Sequence, residues 1–315
     1  MDSAEKNALT KSIREKALGL GFDICGVARP RIFDKNKTIL KEWCEEGMNG
    51  NMGYLARNTE LRADPAQHMP DVQSVLVTGL SYNSANLQKN EGVPIISRYA
   101  YGERYQEVIT RKLDDLLLFI KSLNNKIEGK VFCDSNPLFE KVWAVEAGLG
   151  WQGKHSIIIN KKIGSFFFIG VLMLNIDLDY NKPDGIEHCG SCRLCIDRCP
   201  TGAINGNRTI DARKCISNLT IENRDPVAEE LGPKLEKRVF GCDICQEICP
   251  WNRKAKPNSH PEFKLSEKIA VLSSEEWLSL TREQFEILFK DSSVGRVKYE
   301  NLMHNIRLVM KSHEN

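Results

Sequence analysis

Apolar positions along the chain follow two periods. Residues 8–20 carry them at helical spacing and stop at Gly21, and residues 22–27 then read as a strand before Arg29-Pro30. Residues 72–82 contain the β-rich run Ser74-Val-Leu-Val-Thr-Gly79. Residues 105–123 predict a long amphipathic helix with Ile109, Leu113, Leu116, Leu117 and Ile120 on its apolar side. Pro137 suits a first helical position, with Ser135 or Asn136 as cap, and that helix is expected to run to about Gly148. Residues 156–160 and 165–174 predict a β-hairpin around Lys161-Lys-Ile-Gly164. Beyond Pro261 the pattern is helical only. Ser273-Ser-Glu-Glu276 and Thr281-Arg-Glu-Gln284 are capping boxes. Tyr299, Leu302, Met303, Ile306 and Met310 make one helical stripe, expected to pack in a core. The chain shows no internal repeat and no low-complexity segment.

The length, 315 residues, suggests two domains and a smaller extra unit. The formal net charge is only +2, which excludes a strongly basic nucleic-acid scaffold and an acidic disordered tail. The longest apolar run, residues 166–174, is interrupted by Gly170 and is far short of the roughly 20 residues of a membrane span. Residues 1–10 are polar and lack a secretory pattern. A soluble, cytoplasmic protein is expected. Composition changes that picture at one point, the 11 cysteines. In a reducing compartment, closely spaced cysteines are metal ligands more often than disulfides.

Cys25, Cys44 and Cys133 are scattered, whereas the other eight crowd into residues 189–249. The shift follows the turn-rich Asp179-Tyr-Asn-Lys-Pro-Asp-Gly185, and it divides the chain into residues 1–180, 181–258 and 259–315. His188-Cys-Gly-Ser-Cys-Arg-Leu-Cys-Ile-Asp-Arg-Cys-Pro200 has the bacterial ferredoxin spacing C-x2-C-x2-C-x3-C-P of a [4Fe-4S] cluster. Three thiolates on a tight loop reach three irons of one cube, and the fourth turns away to a second cube. The second run, Cys242-Asp-Ile-Cys245-Gln-Glu-Ile-Cys249-Pro250, lacks its first cysteine, because position 239 is Val239. Cys215 is the remaining cysteine of the region and its natural replacement. The crossed rule then gives Cys189, Cys192, Cys195 and Cys249 to one cluster, and Cys199, Cys215, Cys242 and Cys245 to the other. Zinc is the alternative, but its sites generally use two C-x2-C pairs. Two adjacent clusters form a one-electron wire that feeds something else.

The residues alone do not name the acceptor. Gly148-Leu-Gly-Trp-Gln-Gly153 matches G-x-G-x-x-G, yet it follows a predicted helix and precedes a predicted strand, the reverse of a dinucleotide site. It reads as a helix C-cap and turn. No phosphate-binding P-loop is present, and none of the six histidines lies in an Asp-x-His-x-x-Gly context, so a corrinoid would not be held by that motif. An iron–sulphur oxidoreductase with an unidentified catalytic domain is what spacing supports.

The order of motifs resembles the epoxyqueuosine reductase family. Asn51-Met-Gly-Tyr-Leu-Ala-Arg57, Ser97-Arg-Tyr-Ala-Tyr-Gly102, Asp134-Ser-Asn-Pro-Leu-Phe-Glu-Lys141, Gly148-Leu-Gly-Trp-Gln-Gly-Lys154, the double cysteine run and Cys249-Pro-Trp-Asn252 carry the match. The resemblance implies an α/β cobalamin-binding catalytic domain of nitroreductase/reductive-dehalogenase-like type. A bacterial ferredoxin-like two-[4Fe-4S] module and a short α-helical tail, truncated relative to HEAT-like repeats, would follow. It implies reduction of epoxyqueuosine to queuosine at the tRNA wobble position, the last step of queuosine biosynthesis. The clusters would feed cobalamin, and Asp134 would be the proton donor, its carboxyl raised by burial beside an apolar cofactor face. Arg57, Ser97, Arg98, Lys154 and Ser156 would line the corrinoid or substrate pocket. The implied partners are tRNAs for Asp, Asn, His and Tyr and a reduced ferredoxin or flavodoxin-type electron donor; a monomer is expected. Candidate tRNA contacts are Arg213, Lys214, Asn218, Arg224, Lys237, Arg238 and Trp251-Asn-Arg-Lys254. His304 stands where relatives often have Arg, which weakens a phosphate contact there. The alternatives are a corrinoid reductive dehalogenase, whose exported members begin with a twin-arginine signal absent here, and a pure electron-transfer protein.

Overall fold

The computed structural model describes residues 2–134 and 136–312. Helix α1, Ser3–Gly19, starts ahead of its apolar stripe because Asp2 and Glu5 form a reciprocal capping box. Strand β1 (Ile24–Ala28), helices α2 (Asp34–Glu45) and α3 (Thr59–Ala63), and strands β2 (Ser74–Ser81) and β3 (Ile95–Ile96) follow. Then come α4 (Tyr105–Leu123), β4 (Gly129–Phe132), α5 (Glu140–Glu146), β5 (Trp151–Gln152), β6 (Ile158–Ile159) and β7 (Phe167–Leu174).

Four strands form an antiparallel sheet in the order β1-β2-β7-β4. Alternation along β2 and β7 supplies both faces of the sheet. Leu76, Leu80, Leu172 and Leu174 pack with Ile13 of α1 and Leu113 and Leu116 of α4. Val75, Val77, Val171 and Met173 pack with Trp143 and Ala144 of α5 on the opposite side. The result is a helix–sheet–helix sandwich.

Two local expectations are corrected. The hairpin around residues 161–164 shrinks to a single bridge between Asn160 and Gly164. β7 pairs instead with β2 and β4, and β6 with β5, because an apolar strand buried on both faces needs a neighbour on each edge. Helix α5 begins at Glu140 rather than Pro137. The Pro137 carbonyl accepts the His68 Nε2–H at 3.0 Å, and Asp134 N–H donates to Glu140 Oε1 at 3.1 Å, contacts that hold residues 136–139 outside the helix. Ser135, one of the two proposed caps, lies outside the described residues. The C-terminus of α5 is as predicted: Gly148 takes φ +72° and the Leu149 N–H returns to the Ala144 carbonyl at 2.9 Å.

The cysteine-rich region carries only short elements: α6 (Leu194–Asp197), α7 (Ile216–Ile221), β8 (Arg238–Phe240) and α8 (Ile244–Glu247). β8 pairs in parallel with β3, so a strand of the first region is completed by the second. Val239, at the position of the missing cysteine, is fully buried in a core shared with the tail. The tail has α9 (Glu267–Ala270), α10 (Ser274–Leu278), α11 (Arg282–Phe289) and α12 (Tyr299–Lys311). Both predicted capping boxes form. Leu302, Met303 and Ile306 pack with Trp277 and Phe289, with Val239 and Phe240, and with Ile96 and Tyr101. This third core therefore joins all three stretches of chain. Each such large side chain contributes roughly 1.5–3 kcal/mol by burial.

Candidate functional site

The cysteine loops are held by polar contacts from the first region. Lys154, in the turn between β5 and β6, donates through Nζ to the carbonyls of Gly190 (2.6 Å) and Cys192 (3.0 Å). Above it Cys189, Cys192, Cys195 and Cys249 surround a cavity of about 240 Å3, whose wall also includes His155 and Trp251. Burial pushes the Cys195 thiol up to about 11, and Cys189, Cys249 and Cys192 add to that shift. Burial also raises Cys249, and the backbone N–H groups of Trp251 and Asn252 beside it oppose that shift.

Cys199, Cys215, Cys242 and Cys245 form a second group. Burial raises Cys245, and Cys242 and Cys215 raise it further; Cys215 in turn is raised by burial and by Cys199. Cys215 is the N-cap of α7, and the backbone N–H groups of Asn218 and Ser217 oppose its upward shift. Burial pushes Cys242 up to about 12 against the Ile244 N–H, and Cys199 accepts the Ala203 N–H at 3.4 Å. Cys195 also acts on Cys245, so the two groups are neighbours. Among the described residues, no three ligand-type side chains converge as tightly as one metal ion requires. Half-buried and buried thiols with backbone N–H groups close by are a donor set suited to iron–sulphur cubes, whose sulphurs take such hydrogen bonds.

Ser97 and Arg98 serve the second group. Ser97 Oγ donates to Asp243 Oδ1, and Arg98 N–H donates to Asp243 Oδ2 at 2.8 Å. Asp243 is buried between Cys242 and Cys245, and burial raises its carboxyl despite these donors. Arg98 also stacks over Phe166 at 4.7 Å and pairs with Glu247 at 3.5 Å. Ser97, Arg98 and Lys154 are thus placed as braces of the cysteine loops.

Asp134 sits elsewhere, on the rim between β4 and α5, with φ +54°. A left-handed backbone is costly for a residue other than glycine and marks a conformation imposed by its surroundings. Tyr105 donates its phenol to Asp134 Oδ2, and Gln106 Nε2 donates to the same oxygen at 3.4 Å. The Tyr105 ring stacks on Phe168 at 4.3 Å, which fixes the phenol. Asp134 itself is exposed, so the burial expected from the sequence is not supplied by the protein's own atoms. Beside it, burial pushes the Glu140 carboxyl up to about 7, with Asp134 adding.

Lys141 links the two chemistries. Its Nζ donates to the Ser156 carbonyl at 3.1 Å, and Ser156 takes φ +65° while its Oγ accepts from Gln152 at 3.2 Å. Enclosure by protein lowers the Lys141 pKa, although the side chain still reaches solvent. Asp134 and Glu140 oppose the shift from one side, and Cys215 and Cys245 from another. Tyr54, 46% exposed, lies within electrostatic reach of Asp134, Glu222 and Arg296. Tyr54 and Lys141 thus both lie within electrostatic reach of Asp134, and Lys141 also of the second cysteine group. Arg57 lies on the surface after the Tyr54 turn. Sequence reasoning missed Tyr105, Glu140 and Lys141 as site residues; the last two stand inside a quoted motif.

The candidate cationic contacts divide. Arg213 forks onto the buried Asp211 at 2.8 and 2.9 Å, and Lys214 joins it at 3.4 Å. Arg238 is buried and pairs with Glu247 at 2.9 Å. Asn218 is buried, and His304 donates to the Val227 carbonyl at 2.8 Å. Trp251 packs edge-on against Trp151 at 4.9 Å. Arg224, Arg253 and Lys254 are exposed, and Lys237 is half-buried.

Residues 188–252 match a family described as a 4Fe-4S double cluster binding domain, and residues 62–135 match one described as epoxyqueuosine reductase QueG. The chain is 39% identical to an epoxyqueuosine reductase of Cyclobacterium marinum over 98% of each. A crystal structure of an epoxyqueuosine reductase with an epoxyqueuosine-modified tRNA-Tyr stem loop superposes with a TM-score of 0.89 at 28% identity, covering 98% of this chain and 83% of that one. The catabolic reductive dehalogenase NpRdhA shares the fold at a TM-score of 0.52 and 14% identity, over 96% of this chain and 39% of its own.

Proposed function

The chain belongs to the epoxyqueuosine reductase family, and from that premise we propose that Asp134 is the proton donor as it reduces the epoxide of epoxyqueuosine in tRNA to the alkene of queuosine. The net change consumes two electrons and two protons and releases the epoxide oxygen as water. The observation that carries the assignment is the Asp134 carboxyl itself. It is held in a left-handed backbone, anchored through Oδ2 by Tyr105 and Gln106, and open to solvent. One oxygen is anchored, which leaves Oδ1 to present a proton to the departing oxygen. Glu140, poised near neutrality and bonded to the Asp134 N–H, keeps that loop in place.

Electrons arrive through two [4Fe-4S] clusters. The ligand sets are Cys189, Cys192, Cys195 and Cys249 for one, and Cys199, Cys215, Cys242 and Cys245 for the other; the grouping of the thiols supports this partition. Cobalamin, when bound, supplies a low-valent metal that accepts single electrons and acts on the epoxide. The exposed Tyr54 ring, the Lys141 floor and the strained Ser156 turn suit a flat ring fringed with amides. Tyr54, Arg57 and Ser156 would hold it. Lys141 lies between the carboxylates and the second cysteine group, where burial lowers its pKa and Asp134, Glu140, Cys215 and Cys245 oppose that shift. The exposed Arg224, Arg253 and Lys254 are the candidates left for phosphate contacts. A reduced ferredoxin or flavodoxin-type donor and tRNAs for Asp, Asn, His and Tyr complete the reading, with the chain acting as a monomer.

The test is Asp134→Asn, read by mass spectrometry of tRNA nucleosides. Epoxyqueuosine is expected to accumulate while iron content and the spectra of both clusters stay as in the parent protein. Undiminished queuosine formation by that variant removes Asp134 from the chemistry.

A further inference from the structure

His155 lies in the turn between β5 and β6 and is 4% exposed. Its Nδ1 accepts the Ile157 N–H at 3.2 Å, which places the proton of the neutral ring on Nε2. That Nε2–H is buried and has no partner among the protein's atoms. An unmet buried donor is costly, so such a group signals an acceptor from outside the polypeptide. The ring belongs to the wall of the cavity bounded by Cys189, Cys192, Cys195 and Cys249. Gly153 lets it seat closely: a Cβ there would stand 3.0 Å from His155 Cε1. Trp151, whose indole N–H also has no protein partner, packs with Cys249 and Cys189 nearby.

We propose that His155 Nε2–H donates a hydrogen bond to the sulphur shell of the cluster held by Cys189, Cys192, Cys195 and Cys249, and is a positioning residue that raises that cluster's reduction potential. The inference rests on the cluster assignment above. The reduced cube carries one more negative charge than the oxidised cube, so an N–H···S bond strengthens on reduction and favours the reduced form. The donor is fixed by the Ile157 bond and cannot turn away without leaving a second group unmet. His188, the other histidine of this wall, already engages Asp184 through Nε2 at 3.0 Å and is the internal control.

The experiment is an EPR-monitored redox titration of the reconstituted protein and of His155→Phe and His155→Gln, with iron determined on each sample. In His155→Phe one cluster is expected to become about tenfold harder to reduce, a fall of 59 mV for a one-electron couple, while the other keeps its potential. His155→Gln, which keeps an N–H donor, should recover most of the shift. Pulsed EPR of the reduced parent protein with 15N-histidine should show a histidine nitrogen and an exchangeable proton coupled to one cluster, also in His188→Phe. Unchanged potentials in a fully loaded His155→Phe overturn the proposal, as does the absence of any histidine coupling in the parent protein. The second measurement decides the matter even if the variant fails to assemble. Failure of the parent protein to bind iron would instead refute the cluster assignment itself.

Discussion

Tyr105→Phe isolates the hydrogen bond that anchors Asp134. The substitution keeps the ring, which stacks on Phe168 at 4.3 Å with an interplanar angle of 2°, and removes only the phenol oxygen that donates to Asp134 Oδ2. Gln106 remains, but at 3.4 Å it is a long and weak substitute. A hydrogen bond to a charged group is worth about 1.5–3 kcal/mol, and each 1.4 kcal/mol is a factor of ten in rate. If that bond aims the carboxyl in the transition state, the chemical step should slow by about 10- to 100-fold. Folding stability should change little, because the carboxylate is exposed and the ring contacts persist. The assay is single-turnover reduction of an epoxyqueuosine-bearing stem loop, with product measured by mass spectrometry and KM for the RNA measured separately. The expected signature is a fall in kcat with KM unchanged. A rate within twofold of the parent protein would show that Tyr105 does not position the acid.

Three further outcomes follow from other parts of the structure. Cys249→Ser should abolish the same EPR signal as Cys189→Ser, and Cys215→Ser the other one; each should leave about half of the iron of two cubes. If Cys249→Ser instead matches Cys242→Ser, the crossed partition is wrong. Glu140→Gln should alter the pH dependence of stability. Burial raises the folded carboxyl from 4.5 to about 7, so its protonated form is favoured on folding, and its contribution is full below 4.5 and lost as pH rises through 7. The variant's melting temperature should therefore gain on the parent between pH 5 and pH 8; a constant difference would contradict the cause given. Gly102→Ala would place a Cβ 1.9 Å from the Glu262 carbonyl, where Glu103 N–H also bonds. A loss of about 3 kcal/mol or more in urea unfolding is expected, and parent-like stability would refute this close approach.

How much of this was legible in the sequence varies with the range of the interaction. Helix α4 has the predicted bounds, and both capping boxes form, because caps and amphipathic periods are written within a few residues. The double-cluster module was legible for the same reason: metal geometry sets cysteine spacing over a dozen residues. Pairing of strands was not. β7 reads as half of a hairpin with its neighbour, yet it pairs with β2 about ninety positions away, a choice made by burial on both faces. Within the site, Lys154 and Arg98 read as pocket cations; the structure has the Lys154 ammonium donate to the Gly190 and Cys192 carbonyls, and lays the Arg98 guanidinium over Phe166 beside Glu247 while its backbone N–H bonds Asp243. His155 showed no signal at all, since a missing partner exists only in three dimensions.

The contacts of these residues explain how the cysteine loops are held. Asp243, between two cysteines, is tied to Ser97 and Arg98; Gln246 and Asn252, flanking Cys249, are tied to Ser165 at 2.9 Å; and Lys154 is tied to the first cysteine loop. Every one of these braces comes from the region that also carries Asp134. These loops pack partly in the core shared with the tail and are tied to the sheet sandwich by polar bonds, several of them buried or part-buried and costly to break. The same sandwich seats Tyr105 on Phe168 and, through Tyr105, the carboxyl of Asp134. The proposed proton donor and the cysteine loops are thereby referenced to the same sheet sandwich, with Lys141 within electrostatic reach of both.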